Sequence, residues 1–138
     1  MTALTTDRNT AMRSGGLASY PVTAAVKCYA GGIAVLDAAG NVKPAVTATG
    51  LICVGRFEES ADNTAGAAGA INAKILRGTF RYANSSAGDL ITAAEIGDLC
   101  YLVDDQTVAK TDATGTRSAA GKIVDVDSAG VWVRMGIA

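Results

Sequence analysis

In the last stretch of the chain, Val131, Val133, Met135 and Ile137 alternate with Trp132 and Arg134. That period of two turns one face of a β-strand toward a core and the other outward. Similar short runs recur from Pro21 onward. "PVTAAVKCY" leads through Ala30-Gly31-Gly32 into "IAVLD", and the turn Ala38-Ala39-Gly40-Asn41 leads into "VKPAV". Pro44 lacks an amide donor and suits an edge strand or a strand end. "GLICVGRFEE" reads as the next strand, with Gly55 a candidate bulge. Further strands are predicted at "LCYLV", "TVAK", "AAGKIVDVD" and "VWVRMGI", with turns at Asp104-Asp105-Gln106 and Ser128-Ala129-Gly130.

Two places break this rhythm. Ile71, Ala73 and Ile75 are apolar at odd positions, whereas Leu76, Phe80 and Tyr82 are apolar at even ones. A regular strand cannot keep both sets on one face, so a bulge or bend is predicted at Arg77-Gly78. At "TAAEIG", Thr92 is placed to cap one helical turn over residues 93–96, with Glu95 at the third position and Gly97 to stop it. The expected total is roughly eight to ten short strands and one helical turn, an all-β fold built as a compact β-barrel or β-sandwich.

Residues 1–20 differ from the rest. They are polar, rich in Thr, Arg, Asn and Ser, and hold neither period for long. Such a segment buries too little surface to offset its ordering entropy. It is expected to be an extended N-terminal arm that docks on a neighbouring subunit, the alternative being that it packs on its own domain, and it precedes a single β domain at 21–138.

Composition removes several kinds of chemistry. The chain has no histidine, the commonest acid/base near neutral pH and the commonest metal ligand. Cys28, Cys53 and Cys100 lie far apart in apolar runs and read as buried free thiols, with no CxxC spacing. Twelve basic residues against thirteen acidic ones leave a net charge of −1, so no basic footprint for nucleic acid or an acidic membrane is present. No signal peptide is visible, and no apolar run approaches the roughly 20 residues that span a bilayer. The reading is a protein soluble and cytoplasmic at synthesis.

Three candidate sites reduce to structural roles. The tract "GAAGA" lacks the Lys-Ser/Thr of a phosphate loop and precedes a strand pattern, so it reads as a flexible connector. Glu58, Glu59 and Asp62 are of the type that binds a hard cation, but Asp62-Asn63-Thr64-Ala65-Gly66 is only a fragment of a calcium loop. Asp104 and Asp105 sit where a hairpin favours Asp. No Ser-x-x-Lys or Gly-x-Ser-x-Gly stretch supplies an activated nucleophile, so no catalytic, cofactor or metal residue is assigned. Trp132 is either core from the other side of its strand or an interface anchor.

Taken in order, "RNTAMRSGGLASYPV", "CYAGGIAVLDAAGNVKPA", "CVGRFEESADNTAGAAG", "RGTFRYAN", "IGDLCYLVDDQTVAKTDATGTRSAAGKIVDVD" and "GVWVRM" resemble the capsid cement, or head decoration, proteins of tailed bacteriophages and prophages. The likeness spans nearly the whole chain. It implies a non-enzymatic β-rich protein made in the bacterial cytoplasm and bound to the outer surface of the capsid. The partners it implies are the major capsid protein and neighbouring copies in a dimer or trimer, with no nucleic acid, membrane or cofactor. On this reading Arg8, Arg13, Tyr20, Glu58, Glu59, Asp62, Asn63 and Trp132 are the candidate contact residues. Two other readings remain open at this point: a tail or head-fibre base protein, and a carbohydrate-binding module. The second usually presents exposed aromatics, and with one Trp, four Tyr and two Phe there are few to spare.

Overall fold

A computed structural model describes residues 2–9 and 16–136 of the chain. They form an all-β structure of three antiparallel sheets. The first sheet has the order β1 (Leu17–Pro21), β7 (Asn72–Leu76), β5 (Ile52–Phe57), β3 (Ile33–Leu36) and β4 (Val42–Pro44). In the second, β10 (Val108–Ala109), β9 (Leu99–Leu102), β11 (Ala119–Asp127), β12 (Gly130–Met135) and β8 (Gly78–Tyr82) follow one another. A small third sheet pairs β2 (Lys27–Cys28) with β6 (Ala61–Asp62). Of the two expected architectures, this is the sandwich.

The layers follow from which face each strand buries. Ile33 and Val35 point into one core with Leu102, Ile123, Val131 and Val133 of the second sheet. Ala34, Val54, Phe57, Ala73 and Ile75 point the other way, into a second core closed by Val22, Cys28 and Ala61. The first sheet is therefore covered on both faces at its centre. That is why β3 is a continuous apolar run rather than an alternation. The last strand keeps its period of two, with Val131, Val133 and Met135 buried and Arg134 exposed.

The slip of phase at Arg77-Gly78 is the corner where the chain changes sheets. Up to Leu76 it pairs with β1 and β5, and from Gly78 it pairs with β12, where Gly78 faces Met135. Between the two, Arg77 donates its amide to Gly16 O at 2.9 Å. Apolar side chains serving two different cores have no reason to share a phase.

Other expectations are met at specific atoms. Pro44 lies in the edge strand β4. A bulge in β5 shifts the register between Ala34/Gly55 and Val35/Cys53. Gly55 has φ 141, and a Cβ there would collide with the Leu76 carbonyl of the neighbouring strand. Thr92 and Glu95 complete a reciprocal capping box on the 3-10 turn Ala93–Glu95.

Four expectations change. Twelve strands are present among the described residues, because two-residue strands such as β2, β6 and β10 are too short to show a period. A second 3-10 turn, Ala87–Asp89, lies in what reads as plain loop. The arm is shorter than 1–20: residues 17–20 belong to β1, paired from Leu17↔Leu76 to Pro21↔Asn72. Leu17 and Ser19 are exposed there, so the strand is held by its ladder and not by a fully buried face. The Ala/Gly tract is also not a loose connector. Asn63, buried at 3% exposure, donates Nδ2 to Thr23 O and Ala67 O, each at 3.0 Å.

Replacing Gly55 with Ala should lower stability by at least ~2 kcal/mol, because it adds both a backbone penalty and a collision. Urea unfolding of Gly55→Ala against the parent measures this, and a change within about 0.5 kcal/mol would contradict the packing described.

Candidate interaction cleft

A loop, a strand and a turn meet on one side of the molecule. The loop Tyr29–Gly32 is pinned from beneath: Gly31 donates its amide to Phe57 O at 2.8 Å, and Ala30 donates to Ser60 Oγ at 3.2 Å. Tyr82 on β8 reaches across to donate its hydroxyl to Gly31 O at 2.8 Å. The turn after β9 closes the third side, where Ile33 N donates to Asp105 O at 2.8 Å. Between them lies a cleft of about 600 Å³ lined by Tyr29, Gly31, Gly32, Arg81, Tyr82, Asp105 and Gln106, among others. A smaller hollow of about 330 Å³ shares Gly31, Arg81 and Tyr82 and adds Arg56, Thr79, Phe80 and Trp132.

Cations stack on the aromatic rings along this groove. The Arg56 guanidinium lies 4.7 Å from the Phe80 centroid, and that of Arg81 lies 5.6 Å from Trp132. Lys27 sits 5.3 Å from the Tyr29 ring. Such pairs are each worth roughly 0.5–1 kcal/mol at exposed sites, and they also hold the rings in place. Arg56 in addition pairs with Glu58 at 2.8 Å. Trp132 is fixed from the other end by donating Nε1 to Asp127 Oδ2 at 2.9 Å. This bond and the amides of Ala129 and Gly130 hold the Asp127 carboxyl below its ordinary value of 3.8.

The sequence-predicted contact residues divide into two groups. Glu58 and Trp132 meet the same hollow, one through Arg56 and the other directly. Glu59 and Asp62 are exposed nearby, and Asp62 accepts from Thr64 N at 3.0 Å and Thr64 Oγ1 at 2.7 Å. Arg8 is exposed on the segment 2–9, and Arg13 lies outside the described residues. Tyr20 and Asn63 are built into their own domain. Tyr20 is half-buried against the second core, with Arg77 Nη2 donating to its hydroxyl at 3.4 Å, and Asn63 is the anchor of its loop.

Tyr29, Arg56, Phe80, Arg81, Asp105 and Gln106 escape sequence reasoning as a group. They come from distant segments, and only the pairing of sheets brings them together. The loop signal Ala30-Gly31-Gly32 marks the cleft floor but says nothing of what faces it.

The groups with reactive potential are quiet. Burial pushes the Cys28 and Cys53 thiols up to about 11 and Cys100 to about 12, far from a thiolate at neutral pH. Cys28 and Cys100 are buried, whereas Cys53 is only half-buried. Among the described residues no group of three or more Cys, Asp or Glu side chains is placed to hold a metal ion. No described helix is long and apolar enough to cross a membrane. The chain matches no family model, no curated protein and no solved structure.

Two outcomes are expected. Asn63→Ala strands buried carbonyls and should cost ~2 kcal/mol in thermal or urea unfolding, with Asp62→Ala costing much less. Since the folded Asp127 carboxyl titrates below 3.8, the stability it contributes is present above that pH and is lost as pH falls through its folded value. Emission from Trp132, the single tryptophan, should therefore change with a midpoint below 3.8, and Asp127→Asn should abolish that transition.

Proposed function

We propose that the protein is a structural component of a phage virion, a cement protein that binds the outer capsid surface and stabilises contacts between major capsid proteins. The observation that most supports this reading is the arm. Residues 2–9 are exposed without interruption, Leu4 at 72%, and the chain joins the body at the edge strand β1. An exposed arm carrying an apolar side chain gains burial only against another molecule.

The outer face of the second sheet supports the same reading. Leu99, Lys122, Arg134 and Thr79 stand in one row across four strands, and Asp125, Trp132 and Arg81 stand in the next. Leu99 is 47% exposed, and neither Lys122, Arg134 nor Arg81 is in an ion pair among the described residues. A face of mixed charge, with Lys122, Arg134 and Arg81 near Asp125 and Asp127 and with Leu99 exposed, suits a protein partner that pairs both signs. Each contact need only be modest, because many copies on one shell raise the effective concentration of every arm. A protein that binds only the assembled lattice stabilises that lattice by mass action.

The test is occupancy on mature heads. Removing residues 2–16 should lower the number of bound copies at a given protein concentration by about tenfold, with the β domain still folded by circular dichroism. Undiminished occupancy would refute the role of the arm.

A further inference from the structure

We propose that the cleft between Tyr29, Tyr82 and Trp132 is a saccharide-binding site, separate from the arm although it shares Arg81 and Trp132 with the face offered to the capsid. Four of the seven aromatic residues, Tyr29, Phe80, Tyr82 and Trp132, line the two joined hollows. Tyr82 and Phe80 also pack on the core between the two large sheets, which leaves Tyr29 the exposed ring of the four. Tyr29 is the platform: Lys27 lies over the ring, yet the residue is still 56% exposed.

Polar groups that suit hydroxyl recognition surround that ring. Among the described residues, the side chains of Arg81, Asp105 and Gln106 make no hydrogen bond to the protein, although all three line the cleft. Together they offer donors and acceptors in planar groups, the pattern that binds neighbouring hydroxyls in pairs. The floor is open, for a Cβ on Gly31 would meet nothing within 4 Å. The cleft, about 600 Å³, is an open groove at the surface and not an enclosed pocket.

The mixture selects among ligand classes. A purely apolar ligand would desolvate Arg81 and Asp105 without pairing them, which is costly. A phosphate or an acidic peptide would meet the Asp105 carboxylate alongside Arg81. A sugar ring satisfies both halves of the site, laying its C–H face on Tyr29 and its hydroxyls toward Asp105, Gln106 and Arg81.

Trp132 provides the readout, being the one tryptophan and lying in the smaller hollow. The full chain is applied to an array of neutral and uronic-acid oligosaccharides, and the strongest responders are titrated while Trp132 emission is followed. A saturable change is expected, with Tyr29→Ala and Asp105→Asn each weakening binding by about tenfold or more. Circular dichroism and head occupancy should be unaltered in Tyr29→Ala, so loss of sugar binding is distinguishable from failure of the capsid reading. The proposal is overturned by an array with no saturable responder, or by binding that survives both substitutions. A saturable response to an acidic hexapeptide and to no oligosaccharide overturns it as well.

Discussion

Phe57 and Val54 look into one core while Ile33 and Val35 look into another, and a single sheet supplies all four. This double burial is the constraint on which the rest of the structure depends. A sheet covered on both faces admits few polar side chains at its centre, so β3 and the middle of β5 carry Ile, Ala, Val and Gly where a surface sheet would alternate. It also demands close approach between strands. Gly55, where a Cβ would strike the Leu76 carbonyl, marks the place where β5 and β7 are too near for any side chain.

The cleft is a by-product of how those layers close. After Leu76 the chain must leave the doubly covered sheet, and at Arg77 it turns into β8 at the edge of the second sheet. The strand at that edge brings Phe80, Arg81 and Tyr82 against the loop that follows β2. Tyr82 then bridges them by donating to Gly31 O, and burial keeps its hydroxyl protonated, with its titration moved well above the ordinary value of 10.0. Rings, guanidinium groups and backbone carbonyls are gathered here by topology, without large hydrophobic anchors. Tyr82 and Trp132, each held by a hydrogen bond, lose little side-chain entropy when a partner arrives.

How much of this was legible depends on how locally each feature is encoded. The capping box at Thr92 and Glu95 is a contact between residues three apart, and the turn chemistry of Asp127 to Gly130 spans as few. Both follow from the order of residues alone. The break at Arg77-Gly78 was visible too, because a reversal of phase must be absorbed somewhere. That it is a change of sheet and not a bulge within one strand depends on β12 and β1, which are distant in the chain. Asn63 reads as a polar loop residue beside Asp62, yet one is buried and the other exposed. Nothing in their neighbourhood distinguishes them until the carbonyls of Thr23 and Ala67 are in place.

By itself, then, the sequence determined the all-β class, the positions of most turns, the quiet thiols and the contrast between a polar arm and an apolar body. These depend on periodicity and side-chain chemistry, which act within a few residues. Only the tertiary structure decided that β1 begins at Leu17, that the Ala/Gly tract is anchored, and that four scattered aromatics line one groove. Those outcomes rest on pairings such as Leu17 with Leu76 and Trp132 with Arg81. A strand's partner is chosen by the burial of whole faces, and no short window of sequence carries that information.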